Sequence, residues 1–147
     1  MGQPRSRARA RGYRAERELV EILWRHGFAV MRAPASGAKI KVADYPDVVA
    51  IRAGRVAVFE VKARRSKGAI YVSKEQVRKL KEFARRAGGR AYIAIRIPNK
   101  GWRFIPVEEL EETAKNYKVS KEAIERAGAL PRVLTDLGFQ ARLPTKD

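Results

Sequence analysis

Cysteine is missing from all 147 residues. That excludes disulfides and thiolate metal sites and suits an intracellular protein. No apolar run approaches the ~20 residues that a membrane span requires, so no membrane association is expected. The arginines near the N-terminus are not followed by an apolar segment, and no signal peptide is expected. Asparagine and glutamine are scarce, with two and three copies among abundant Arg, Lys and Glu, a bias that points to a thermophile. Acidic charge is the largest deficit: 16 Asp/Glu stand against 33 Lys/Arg, for a net charge of +17. Apolar residues are not in deficit. At 45% of a chain this long, they support one domain with a sizeable core rather than disorder.

The positive charge is uneven. Residues 1–105 carry 26 Lys/Arg and 8 Asp/Glu, a net +18, whereas residues 106–147 carry 7 and 8, a net −1. A polyanionic partner follows, and DNA or RNA ranks above a membrane surface because no amphipathic anchor is visible. A solvated basic surface with no ligand is the competing reading. Arg5, Arg7, Arg9 and Arg11 alternate with small residues, so residues 1–12 are expected to be a flexible basic tail, extended by repulsion.

After the tail, residues 13–106 are expected to form the main domain and 107–147 a helical extension, packed on that domain or partly mobile. Periodicity places a helix at about 13–26, closed by Gly27. A short strand follows at 28–32, then a loop over 33–46 containing Pro34, Gly37 and Pro46. Strands at about 47–52 and 56–62 join around Ala53-Gly54, and a basic loop, 63–72, leads to a second helix. Ser73 and Gln76 have capping-box spacing at its start, and Gly88-Gly89 ends it. Strands at about 91–97 and 101–105 come next, then helices at about 107–117, 121–127 and 132–137. The order α-β-β-β-α-β-β-α predicts an α/β fold, a mixed sheet flanked by helices.

Pairing the two central strands outward from Arg52 and Arg55 sets Ile51 opposite Val56, Val49 opposite Val58, and Asp47 opposite Glu60. Like charges directly opposed on antiparallel strands destabilise a sheet. These two also end an apolar face, where uncompensated charge is costly. A divalent cation would compensate, and Mg²⁺ is usually held by one or two carboxylates with water and substrate phosphate. Lys62, two residues beyond Glu60, points to the same face. A purely structural Lys–carboxylate pair is the alternative. On the first helix, Leu19, Val20 and Leu23 define the buried stripe, and Glu16 falls within it, whereas Glu18 and Glu21 fall on the polar side. Glu16 is therefore an inward acid, or else a first-turn Glu favoured by the helix dipole. His26 suits the helix C-terminus as a dipole partner rather than a catalyst.

Pro46-Asp47, a gap of twelve residues, and Glu60-Val61-Lys62 resemble the PD-(D/E)XK nuclease signature. More of the chain resembles one family of those nucleases, the archaeal Holliday junction resolvases called Hjc. The similar stretches are Gly12-Tyr13-Arg14-Ala15-Glu16-Arg17-Glu18-Leu19 and Gly27-Phe28-Ala29-Val30-Met31-Arg32-Ala33-Pro34-Ala35-Ser36-Gly37. Pro46-Asp47-Val48-Val49-Ala50, Phe59-Glu60-Val61-Lys62-Ala63-Arg64 and Trp102-Arg103-Phe104-Ile105 continue the likeness, which spans about residues 11–106. It implies a restriction-endonuclease-like sheet, a homodimer, Mg²⁺ dependence with Mn²⁺ as a substitute, and paired nicks in four-way DNA junctions. It also implies an active site of Glu16, Asp47, Glu60 and Lys62, with Ser36 from the loop, and basic residues Arg17 and Arg32 beside it.

Within that frame Asp47, Glu60 and the Val61 carbonyl would hold Mg²⁺, and Glu16 would complete the metal environment or hold a second ion. Lys62 would orient water or stabilise developing charge. Arg5, Arg7, Arg9, Arg11, Arg14, Arg17, Arg32, Lys39, Lys41, Arg64, Arg65 and Lys67 are expected to contact DNA, joined by the outer face of the second helix, from Arg78 to Arg86. Phe83, Trp102 and Phe104 are apolar material for a dimer interface or for the core. The expected setting is the cytoplasm, in association with the nucleoid. Two alternatives stay open: another nuclease of the superfamily cutting duplex or flap DNA, and a non-catalytic DNA-binding protein.

Overall fold

The computed structural model describes residues 4–34 and 45–140, with side chains described from Ala10 onward. Helix α1 (Pro4–Arg25) opens the chain. It starts at Pro4 rather than at residue 13, so residues 4–12 continue a helix and are not the extended tail that arginine repulsion suggested. Ala and Arg are strong helix formers and Pro suits the first helical position, which locally outweighs the charge spacing. The helix closes at Gly27, where φ is +87°. The His26 Nδ1 lies 2.8 Å from the Ile22 carbonyl, the C-terminal partnership expected of it.

The strands follow the expected order, with β1 (Ala29–Arg32), β2 (Val48–Arg52), β3 (Arg55–Ala63), β5 (Arg90–Ile97) and β6 (Gly101–Pro106) in one sheet ordered β1-β2-β3-β5-β6. The turn between β2 and β3 has positive φ at both Ala53 and Gly54, the geometry that a two-residue hairpin needs. Its register sets Arg52 against Arg55, Ile51 against Val56 and Val49 against Val58. β3 and β5 are parallel, and the required crossover is helix α2 (Lys74–Ala87). Ser73 and Gln76 do form a capping box at its start.

Alternation along the strands gives the sheet two buried faces. One carries Val48, Ala50, Ala57, Phe59 and Val61 against Ala15, Leu19 and Leu23 of α1. The other carries Val58, Ala91, Ile93 and Ile95 against Val77, Leu80 and Ala84 of α2. Trp102 and Phe104 are buried in the first core, so neither is available to an interface.

The C-terminal part differs from expectation. In place of a helix over 107–117, a 3-10 turn (Val107–Glu109) precedes β7 (Glu111–Glu112) and β8 (Asn116–Val119). β8 pairs with β7 and, on its other side, with β4 (Ile70–Ser73), at the end of the stretch expected to be a basic loop, as a second sheet ordered β4-β8-β7. The Glu-rich sequence favours helix locally, but pairing with β4, burial of Val119 and a Thr113–Asn116 turn override that preference. Helices α3 (Lys121–Arg126) and α4 (Leu130–Asp136) follow. Leu130, Val133, Leu134 and Leu137 join the same core as α1, and the Tyr92 hydroxyl donates to Asp136 at 2.7 Å.

Leu130 to Leu137 are thus part of the fold's core. Burial of those four side chains contributes on the order of 10 kcal/mol, comparable with the whole stability of a domain, about 5–15 kcal/mol. A chain ending at Gly128 is expected to lose its cooperative thermal transition, monitored by calorimetry or circular dichroism.

Candidate active site

The register of β2 and β3 ends at Val48 against Phe59, and Asp47, the residue just before β2, lies close enough to Glu60 for its charge to act on it. Asp47 is fixed at both ends. Its N–H donates to the Phe59 carbonyl at 3.0 Å, and its Oδ2 accepts from the Val61 N–H at 2.8 Å. Glu60 leaves only 13% of its side chain exposed, and Lys62 Nζ stands 3.8 Å from its Oε2. Glu16 arrives from α1, with 17% of its side chain exposed and Arg32 Nε at 3.8 Å. Arg32 also stacks over the Tyr13 ring.

The electrostatics record how closely these acids are gathered. Burial, followed by the Asp47 charge, raises the Glu60 pKa to about 8, against the opposing pull of Lys62. Burial and then Asp47 raise the Glu16 pKa to about 7, against the pull of Arg32. A site that makes its own carboxylates hold protons near neutral pH is short of positive charge. Among the described residues, no three His, Cys, Asp or Glu side chains form a ready metal cage. Asp47 and Glu60 are nonetheless hard oxygen donors with unrelieved repulsion, and two carboxylates are what Mg²⁺ commonly takes from a protein. The donor chemistry therefore fits a divalent cation.

The structure brings Glu16, Asp47, Glu60, Val61 and Lys62 together as expected and sets Arg32 beside them. Arg17 is exposed on α1. Ser36, Lys39 and Lys41, and the side chains of Arg5, Arg7 and Arg9, lie outside the described residues. Glu18 keeps 37% of its side chain exposed, but it is not free in solvent as its helical phase suggested: it pairs with Arg96 Nε at 2.6 Å and accepts from Trp102 Nε1 at 3.2 Å, tying α1 to β5 and β6. The outer face of α2 is also less available than expected. Arg78 pairs with Glu75, and Arg85 and Arg86 pair with Glu82.

Two residue sets escaped the sequence reading. Gln76 joins the site: its Nε2 donates to Glu60 Oε2 at 3.3 Å and its Oε1 accepts from Lys62 Nζ at 3.4 Å. The only signal in the sequence was its capping position. The second set is Arg96, Lys100, Arg103 and Lys121, which extend the expected basic surface. Arg11, Arg14, Arg64 and Arg96 line one groove, and Arg64, Arg65, Lys67, Lys100, Arg103 and Lys121 line a second of about 510 Å³. Arg64 and Pro98 belong to both, making one continuous basic trough that starts two residues from Lys62. Lys121 comes from the acidic part of the chain, so composition alone hid it.

The family model described as archaeal Holliday junction resolvase matches residues 7–140. A crossover junction endodeoxyribonuclease Hjc of Sulfurisphaera tokodaii is 41% identical over 120 residues, covering 80% of this chain and 81% of that protein. The Archaeoglobus fulgidus protein of the same name is 40% identical over 113 residues, covering 77% and 81%. The solved structure of Archaeoglobus fulgidus Hjc, a Holliday junction resolvase from an archaeal hyperthermophile, superposes with a TM-score of 0.76 at 36% identity, covering 83% of this chain and 98% of that one.

The raised Glu60 value fixes the sign of a pH effect. An acid that ionises later in the folded state than in the unfolded chain loses stability for the fold as pH rises, here from about 4.5 to about 8. In metal-free buffer at the upper end of that window, Glu60→Gln is expected to melt higher than wild type by roughly 3–10 °C. The gap should close as pH falls towards the lower end, as followed by scanning calorimetry.

Proposed function

The chain belongs to the family of archaeal Holliday junction resolvases, and from that premise we propose that it resolves four-way DNA junctions by hydrolysing phosphodiester bonds at the site of Glu16, Asp47, Glu60 and Lys62. The observation that supports this most directly is the gathering of Asp47, Glu60 and Lys62, with the Asp47 charge acting on Glu60 and Lys62 Nζ 3.8 Å from the Glu60 carboxylate. Membership of the family implies dependence on a divalent metal, and Mg²⁺, with Mn²⁺ as a substitute, is the ion we assign. Asp47, Glu60 and the Val61 carbonyl would hold it, with Glu16 completing its surroundings. When bound, such an ion supplies Lewis-acid activation of the phosphoryl group.

The remaining work falls to the chain's own groups. Lys62 Nζ stands beside Glu60, where it would stabilise negative charge developing on the phosphate. The Val61 N–H holds the Asp47 carboxylate in one orientation. Arg32 would take a phosphate beside Glu16. The basic trough would carry the backbone of a DNA arm away from the site, since phosphate contacts position a duplex without reading its sequence. Ser36 is retained as a catalytic residue of the loop, and Arg5, Arg7, Arg9, Arg17, Lys39 and Lys41 as DNA contacts. Among the described residues no helix is long and apolar enough to cross a membrane. We place the protein with chromosomal DNA in the cytoplasm.

Asp47→Asn tests the assignment. Removing one carboxylate should reduce Mg²⁺-dependent cleavage of a labelled four-way junction by at least about a thousandfold, while junction affinity in Ca²⁺ holds or improves. Duplex and flap substrates run in parallel separate a resolvase from other nucleases of the superfamily. Full activity in the variant would overturn the site.

Paired nicks require two sites, and a second copy of the chain would supply the other. An open apolar groove of about 470 Å³ includes Met31, Tyr45, Val49, Ile51, Val56 and Phe83. Met31 is 72% exposed and Ile51 41%. The groove adjoins Arg32 and Pro46, next in space and sequence to the carboxylates, and a self-complementary contact there closes a two-fold dimer. Light scattering at micromolar concentration should give a dimer, and Met31→Glu with Ile51→Glu a folded monomer. A monomeric wild type that still makes paired nicks would refute this arrangement.

A further inference from the structure

Gln76 sits in the first turn of α2 and does two things with one amide. Its Oε1 accepts from the Ser73 N–H at 3.3 Å, while Ser73 Oγ accepts from the Gln76 N–H at 3.0 Å; together these form the helix's capping box. The same Oε1 accepts from Lys62 Nζ at 3.4 Å, and Nε2 donates to Glu60 Oε2 at 3.3 Å. Partner chemistry fixes the amide's orientation. A backbone N–H and an ammonium are both donors, so the oxygen must face them, and the nitrogen is left for the carboxylate. A glutamine amide offers an acceptor and a donor at once, whereas a carboxylate offers only acceptors and an aliphatic chain neither.

Lys62 and Glu60 are themselves 3.8 Å apart, beyond ordinary hydrogen-bond distance. The amide lies between them, satisfying both. Without it the ammonium would be drawn onto the carboxylate, and both groups would turn away from a phosphate and a cation. Resting on the proposed assignment of Glu60 and Lys62 to the active site, we propose that Gln76 is a positioning residue, which holds that pair apart and oriented and anchors them to the capped start of α2.

The two roles of Gln76 can be pulled apart. Glutamate is the other usual residue at this capping position, so Gln76→Glu keeps an acceptor for Ser73 but has no donor for Glu60. Gln76→Met keeps the length and loses both hydrogen-bonding ends without adding charge. Ser73→Ala removes the cap hydroxyl but leaves Gln76 in place. Three readouts are taken at a temperature where every variant is folded: the melting midpoint, junction affinity in Ca²⁺, and the single-turnover cleavage rate in Mg²⁺.

Gln76→Glu and Gln76→Met should each slow cleavage by more than about tenfold, the scale expected when reacting groups are mis-set, with junction affinity unchanged. Ser73→Ala should lower the midpoint yet cleave within that limit. Cleavage within tenfold of wild type in either folded Gln76 variant would overturn the proposal. So would a loss of affinity in place of rate, or an equal slowing in Ser73→Ala, which would reduce Gln76 to a helix cap. If one Gln76 variant does not fold, the other decides. Glu60→Gln serves as the reference: full cleavage there would overturn the active-site assignment itself, whereas an inactive Glu60→Gln beside an active Gln76→Glu overturns only the role of Gln76.

Discussion

Asp47, just before β2, and Glu60, on β3, bring two like charges together, and the surrounding structure holds that repulsion in place. The hairpin turn at Ala53-Gly54 sets the register, and the register brings Val48, the neighbour of Asp47, against Phe59, the neighbour of Glu60. The Val61 N–H pins one of them. Helix α1 adds Glu16 from its own side of the sheet, and α2 adds Gln76 from the other. Burial keeps water from relieving the charge, so Glu60 and Glu16 bind protons more tightly than free carboxylates do. A pair of acids left in this state is a poor source of stability. It is a good receptor for a cation and, through that cation, for phosphate.

The mixed sheet is what allows helices on opposite faces to serve one site. α1 packs on the face of Phe59 and Val61, α2 on the face of Val58 and Ile93, and both reach the end of β3 where Glu60 and Lys62 emerge. Residues beyond 106 complete this frame. Leu130, Val133 and Leu134 of α4 fill the core beside α1, and β8 extends the strand that leads into α2. The same region contributes Lys121 to the basic trough. Core packing and basic surface are therefore shared along the described chain, although the charge is concentrated in its first two thirds.

Ion pairs divide the basic surface. Arg78, Arg85 and Arg86 spend their charge on glutamates of their own helix, and Arg96 on Glu18. Surface pairs of this kind contribute little to stability, but they remove cations from the pool open to phosphate. The trough is lined by more cations than acids, with Glu18 and Glu125 as the acids that line it.

The sequence by itself determined what depends on near neighbours and fixed periods. The turn residues and the strand alternation gave the pairing from Arg52–Arg55 out to Val49–Val58, because register in a tight hairpin follows from the turn. The ladder ends at Val48 and Phe59, one step short of an Asp47–Glu60 pair. Helical phase placed Glu16 inward, and the Ser73–Gln76 spacing marked the start of α2. Tertiary structure alone decided the rest. Helical phase could not show that Glu18 would find Arg96 and Trp102 on strands some eighty residues further on. Helix propensity over 107–117 gave way to pairing with β4, a partner distant in sequence. Gln76 was readable as a cap but not as a contact of Glu60 and Lys62. Local preferences are properties of a short stretch of chain, whereas these contacts exist only once the sheet has brought distant segments within a few ångströms of each other.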